Sequence, residues 1–276
     1  MSPPREERTV LCVSDHTGVT AEAMAHSLIA RFDNVEAHYE TRPFVDDGAK
    51  VEALVKEIDE IAASGRMPIV FSTIIDPELW QTLQRANGLV LDLFQIFVDT
   101  LTAEFDAEPS ATVGRYHGIG STMTYQVRLD ALDYALTTDD GLGLEQYRDA
   151  DVIVIGPSRV GKTPTCLYLA MQYGIRAANF PLTPDSADEG QLPEALQAHK
   201  DRLFALTINP VRLFQIRQKR RPDGSYASLE RCEQEVESAE QLYRAHRIQT
   251  LDTTARSIEE ITATIIENAN LERRLD

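Results

Sequence analysis

The chain is predicted to be an α/β protein built in two parts, and three features predict it. Short apolar runs alternate with segments of helical spacing along the first half. A second series of strand and helix patterns begins near residue 150. Between them the apolar run Val152–Ile155 leads directly into Gly156-Pro-Ser-Arg-Val-Gly-Lys-Thr163, a complete G-x-x-x-x-G-K-[ST] loop, and then into an apolar helical pattern.

In the first half, Thr9–Ser14 reads as a strand running into the turn Asp15-His16-Thr17-Gly18, and an amphipathic stretch spans Thr20–Phe32. Val35–Arg42 alternates as a strand does, and Val51, Leu54, Val55, Ile58 and Ile61 recur at helical spacing within Ala49–Ala63. Ile69–Ile74 and Leu89–Phe94 are strand-like; Pro77–Ala86 and Gln95–Phe105 are helical. This β-α-β-α rhythm calls for a doubly wound, mostly parallel sheet with helices on both faces. From Asp106 to Ser121 the chain is small and polar, a connector. Helical spacing resumes at Thr124–Leu136, through Val127, Leu129, Leu132, Tyr134 and Leu136, until Thr137-Thr-Asp-Asp-Gly141 breaks it. The domain boundary is therefore expected near residue 145, giving domains 1–145 and 146–276.

The second domain is expected to be kinase-like. Its loop helix, Thr163–Tyr173, ends at Gly174, a residue suited to a left-handed cap. Pro164 is tolerated because it falls in the first turn, where its missing N–H would have no intrahelical partner. Strands are expected at Ile175–Phe180, Leu203–Ile208 and Ile248–Leu251, and helices at Val211–Lys219, Leu229–His246 and Ile258–Asn268.

Composition narrows the function classes. The 276 residues carry 27 basic and 44 acidic side chains, a net charge of −17. So negative a surface repels nucleic acid and anionic lipid, which excludes both as main partners. Cys12, Cys166 and Cys232 are too few and too scattered for a disulfide framework or a thiolate zinc site, and fit a reducing cytoplasm. The N-terminus has no apolar stretch after its charges, and no run approaches a spanning helix, so a soluble cytoplasmic protein is expected.

The loop states the chemistry most directly. A strand entering a glycine-rich turn and then a helix aims backbone N–H groups and the positive end of the helix dipole at one anion. Gly156, Pro157, Ser158, Arg159, Val160, Gly161, Lys162 and Thr163 are thus the candidate nucleotide site. Lys162 would reach the terminal phosphates and the Thr163 hydroxyl would ligate Mg²⁺. A GTPase is disfavoured: Asp140-Gly-Leu-Gly143 matches D-x-x-G but precedes the loop, and N-K-x-D is absent. Leu206-Thr-Ile208 ends in Asn209, so the acidic partner of Mg²⁺ seen in large ATPases is missing there or supplied elsewhere.

Phosphotransfer is favoured by Arg212, Arg217, Lys219, Arg220 and Arg221, five basic residues within ten positions, which could close over a transferring phosphoryl group. The competing reading is a solvated basic face paired with the acidic helix Glu230–Glu240. Asp15 lies in a strand-to-helix turn, where it could orient or deprotonate an attacking group or merely hold the turn. His117, in the connector, reads as a surface residue. Arg159, Lys162 and Asp15 are the candidate catalytic residues.

The segment G-P-S-R-V-G-K-T-P-T-C-L-Y-L-A-M-Q-Y-G-I-R-A-A-N-F-P-L at 156–182 resembles the pyruvate, phosphate/water dikinase regulatory proteins. So do S-D-H-T-G-V-T-A-E at 14–22, R-L-D-A-L-D-Y-A-L-T-T-D-D-G at 128–141, the stretch 206–229 and S-I-E-E-I-T-A-T-I-I at 257–266. R-R-P-D-G-S-Y-A-S and T-T-A-R-S-I-E-E are more similar to the phosphoenolpyruvate synthase branch than to the pyruvate, phosphate dikinase branch. The resemblance implies a bifunctional enzyme. It would inactivate its dikinase by ADP-dependent phosphorylation of a threonine, and reactivate it by phosphate-dependent removal that releases pyrophosphate. ADP, Mg²⁺ and inorganic phosphate follow as the expected ligands and phosphoenolpyruvate synthase as the expected protein partner; a homodimer is the assembly to consider. The chain departs from the family pattern at His16, where glycine is usual, and at Asn209, where aspartate is usual. The competing readings are a small-molecule kinase with the same loop and a nucleotide sensor without turnover.

Overall fold

The computed structural model describes residues 6–107, 122–183, 190–220 and 225–274. Most of the expected connector, with His117, and Arg221 lie outside the described residues.

Two compact units form, Met1–Gly118 and Ile119–Asp276. The first alternates β1 (Glu6–Val13), α1 (Val19–Ile29), β2 (Val35–Arg42), α2 (Gly48–Ala63), β3 (Ile69–Ser72), α3 (Pro77–Leu83), β4 (Leu89–Asp92) and α4 (Gln95–Phe105). All its strands are parallel, in the order β2-β1-β3-β4. Alternate residues of β1 serve opposite faces of this sheet. Leu11 and Val13 pack with Val51, Leu54 and Ile58 of α2, whereas Val10 and Cys12 pack with Ala21 and Ala25 of α1. Both helices begin where the sequence supplies a start. Asp47 caps α2 by accepting from Lys50 N at 2.8 Å, and Gly18, at φ 81°, turns the chain into α1.

The second unit runs α5 (Thr122–Thr137), β5 (Val152–Gly156), α6 (Lys162–Tyr173), β6 (Ala177–Pro181), α7 (Glu194–Gln197), β7 (Leu203–Thr207), α8 (Pro210–Arg220), α9 (Leu229–His246), β8 (Gln249–Asp252) and α10 (Ile258–Asn268). Its sheet repeats the same plan, all parallel, in the order β6-β5-β7-β8. Val152 and Val154 face a core shared with Cys166 and Leu169 of α6 and with Ile261 and Ile265 of α10. Ile153 and Ile155 face the opposite core, with Leu242 and Tyr243 of α9. The strands, and the helices other than the short α7, are those the sequence predicts, in two parallel α/β layers.

The boundary falls earlier than the expected residue 145. Ala131 and Ala135 of α5 are buried in the same core as Cys166, Leu169 and Ala170, so α5 packs along α6 and belongs to the second unit. Its buried face matches the expected spacing in part: Tyr134 is buried and Leu132 packs against the core, but Leu129 and Leu136 are exposed and Ala131 and Ala135 are buried instead. Small residues there let two helices approach closely. No helix among the described residues is long and apolar enough to cross a membrane.

Candidate phosphate-binding site

β5 is central in its sheet, and its neighbours β6 and β7 are reached by connections that leave in opposite directions. The loop 156–163 therefore emerges at the switch point of the sheet, where open α/β layers place ligands. Close packing fixes its entry. A Cβ on Gly156 would lie 2.7 Å from the carbonyl oxygen of Leu206 on β7, so only glycine lets the loop leave along this path. Gly161, at φ 103°, turns the loop into α6 with no side chain competing for the helix's first N–H groups. Arg159 is exposed and left-handed, at φ 78°.

Lys162 is only 5% exposed, and its ammonium donates to the carbonyl oxygen of Pro157 at 3.0 Å. Burial pushes its pKa down to about 8, against the opposing pull of Asp140, Cys166 and Asp139. The carboxylates keep this buried charge near its ionised form.

Asp139 and Asp140, which the motif reading does not place at the loop, lie against it. The Thr163 hydroxyl donates to Asp139 Oδ1 at 2.8 Å, and the Asn179 side chain donates to the same oxygen at 2.5 Å. Asn179 Oδ1 in turn accepts from Asp140 N at 3.0 Å, and Asn179 O accepts from the Tyr147 hydroxyl at 2.8 Å. A fully buried amide on β6 thus pins a turn, with Asp140 at φ 53°, against the loop. This places a carboxylate beside Thr163, the pairing of hard oxygens that suits Mg²⁺. Asp139 is thus an upstream candidate for the acidic partner that is absent at Asn209. The D-D-G at 139–141, next to Asn179 in I-R-A-A-N, carried the signal.

Asn209 has a different task. Its side chain accepts from Val211 N at 2.9 Å and Arg212 N at 3.3 Å, capping α8, a role asparagine fills as well as aspartate. His16 likewise needs no glycine: its backbone is not left-handed, and its N–H donates to Ser14 Oγ at 3.0 Å. Asp15 lies in the first unit, 7% exposed, and its Oδ2 accepts from Ile75 N at 3.1 Å. That bond ties the end of β1 to the segment after β3.

The basic segment divides. Arg212, Lys219 and Arg220 are exposed on α8, but Arg217 is fully buried. Its guanidinium donates to Glu235 of α9 at 2.6 Å, to Ser158 O in the loop at 3.1 Å and to Tyr226 O at 3.1 Å, and lies 4.3 Å from the Tyr226 ring centre. The Tyr226 and Ser158 hydroxyls are 2.8 Å apart. Arg217 therefore braces the loop from behind and is not free to close over a phosphoryl group, which corrects that expectation. At this residue the pairing with the acidic helix is the one realised.

Among the described residues no group of three or more His, Cys, Asp or Glu side chains could cage a metal ion. One carboxylate with one hydroxyl is instead the kind of partial site that Mg²⁺ completes with substrate phosphates and water.

A profile of the kinase/pyrophosphorylase family matches residues 10–266. A protein of Ectopseudomonas mendocina named as a phosphoenolpyruvate synthase regulatory protein is 45% identical over 98% of this chain and 99% of its own. One of Aromatoleum aromaticum bearing that name is 46% identical over 96% and 97%. One of Marinobacter nauticus, also so named, is 44% identical over 97% and 99%.

Proposed function

Because this chain belongs to the kinase/pyrophosphorylase family, we propose that it is a bifunctional threonine kinase and phosphorylase acting on phosphoenolpyruvate synthase. In one direction it transfers the β-phosphoryl group of ADP to a threonine hydroxyl of the synthase, releasing AMP and inactivating the target. In the other, inorganic phosphate attacks the phosphothreonine, the P–O bond to threonine breaks, and pyrophosphate leaves. The observation that carries the reading is the Asp139–Thr163 contact at the mouth of a complete phosphate loop. The names borne by the relatives support the choice of target.

Each residue has a physical task in this scheme. The loop amides from 158 to 163 hold the phosphate oxygens, and Lys162 neutralises charge on the group in transit. Asp139 and Thr163 are the residues that would hold Mg²⁺, which would supply neutralisation of the remaining phosphate charge. Asp139 is already engaged by Thr163 and Asn179. Asp140 is exposed and is the foremost charge acting on Lys162, which makes it our candidate to take the proton of the attacking threonine and to return it in reverse. Arg159, exposed on the loop, is the candidate to receive inorganic phosphate.

The test is to incubate the protein with purified phosphoenolpyruvate synthase, ADP and Mg²⁺. The expected result is loss of synthase activity with stoichiometric phosphothreonine, reversed by phosphate with release of pyrophosphate. Label appearing on a metabolite instead of the synthase would replace this reading with a small-molecule kinase. Binding without turnover would leave only a sensor. Both directions are assigned to one pocket, so Lys162→Ala must lower both rates; full phosphorolysis in that variant would refute the shared site.

A further inference from the structure

The first turn of α6 lacks a donor where a phosphate loop ordinarily offers one. A helix begins with four N–H groups that have no intrahelical partner, and in phosphate loops these face the ligand. Here Gly161 is the N-cap, and Lys162 and Thr163 supply the first two N–H groups of α6. Pro164 supplies none. The next N–H, on Thr165, is already spent on the carbonyl oxygen of Gly161 at 3.1 Å. The donor set along the helix therefore ends at Thr163, and an exposed pyrrolidine ring follows it.

The other end of the site is fixed independently. The reacting phosphoryl group is placed near Lys162 and the Asp139–Thr163 pair, since an ammonium, a hydroxyl and carboxylates converge there. Counting inward from that point, the next phosphate falls within the ring of amides from the loop and the first two helical residues. A third would come to rest over position 164, against a ring that cannot donate. An ionised oxygen held there would lose water without gaining a hydrogen bond. An uncharged ribose at the same place meets a compatible surface.

We propose that Pro164 sets the phosphate count of the donor, selecting a nucleoside diphosphate over a triphosphate by withholding the amide that a third phosphate needs. This rests on the phosphate-site reading above and names the residue that determines its specificity. It does not depend on which protein or metabolite accepts the group.

The experiment compares wild type with Pro164→Ala by calorimetry in the presence of Mg²⁺, using ADP, ATP, pyrophosphate and tripolyphosphate as probes. A restored N–H bonding to a charged oxygen corresponds to about 10- to 100-fold in affinity. Pro164→Ala should tighten ATP and tripolyphosphate by at least about tenfold, and change ADP and pyrophosphate by less than about twofold. An equal gain for both classes, or none, overturns the inference. Should the variant melt early, wild type alone still decides: tighter binding of tripolyphosphate than of pyrophosphate would refute the proposal. Failure of wild type to bind any of the four probes would overturn the phosphate-site reading itself, and is thereby distinguishable from an unchanged preference.

Discussion

Replacing Arg217 by methionine should unfold the second unit far more readily than it disturbs the surface. The guanidinium is fully buried and holds Glu235, Ser158 O and Tyr226 O together. Removing one member of a buried ion pair costs about 3–5 kcal/mol, because the other is left desolvated and unpaired. Glu235 keeps Arg231, which reaches its Oε1 at 2.8 Å from a side chain 45% exposed, so the lower end applies, about 3 kcal/mol. At about 2–4 °C per kcal/mol for a unit of this size, the melting temperature should fall by about 6–12 °C. Scanning calorimetry measures it. The double variant Arg217→Met with Glu235→Leu removes both charges and should recover to within about 2 kcal/mol of wild type, since an apolar pair of similar volume is often no worse than a buried ion pair. A single variant melting within 2 °C of wild type would refute the reasoning (below the loss expected from even 1 kcal/mol). So would a double variant no more stable than Arg217→Met.

Further expectations concern the loop. Lys162 has its pKa lowered to about 8 in the folded protein, so below that pH the fold carries a penalty for burying the charge. Between about 8 and the ordinary lysine value of 10.5 the unfolded chain binds the extra proton, so this group's contribution to stability rises with pH across that window. Binding runs the opposite way: ADP affinity, followed by calorimetry, should weaken by up to about tenfold per pH unit above 8 as the ammonium is lost. A flat profile to pH 9.5 would remove Lys162 from the phosphate contact. Asp139→Asn should raise the Mg²⁺ concentration needed for half-maximal transfer by about tenfold or more, given the strength of a carboxylate's contact with a cation, while leaving metal-free ADP binding within about twofold. Gly156→Ala places a Cβ 2.7 Å from Leu206 O, and denaturant titration should show a loss of about 1–3 kcal/mol from overpacking.

The strands and helices were legible because their signals are local. Short apolar runs mark β1 and β5, and Gly174, at φ 66°, ends α6 where the sequence says it should. The phosphate loop was legible for the same reason, being eight contiguous residues. What escaped was set by distance along the chain. Asp139 meets Thr163 across 24 positions and Asn179 across 40, and the order is the reverse of the familiar one, so the D-x-x-G match was set aside. Arg217 was misassigned because a basic run does not say which member turns inward. That depends on Glu235, 18 residues on, and on the Tyr226 ring. The domain boundary was misplaced because a polar break after a helix looks the same whether the helix packs backward or forward.

The contact between Lys162 and the carbonyl of Pro157 means that the resting loop is not a vacant cradle. One of the three N–H groups of the ammonium is committed to the loop's own backbone, and that bond holds the long side chain in place before any anion arrives. A phosphate tail meeting the remaining N–H groups would forfeit little of the rotamer freedom that a lysine ordinarily loses on binding. Preorganisation of this kind is written into the way the loop folds upon itself.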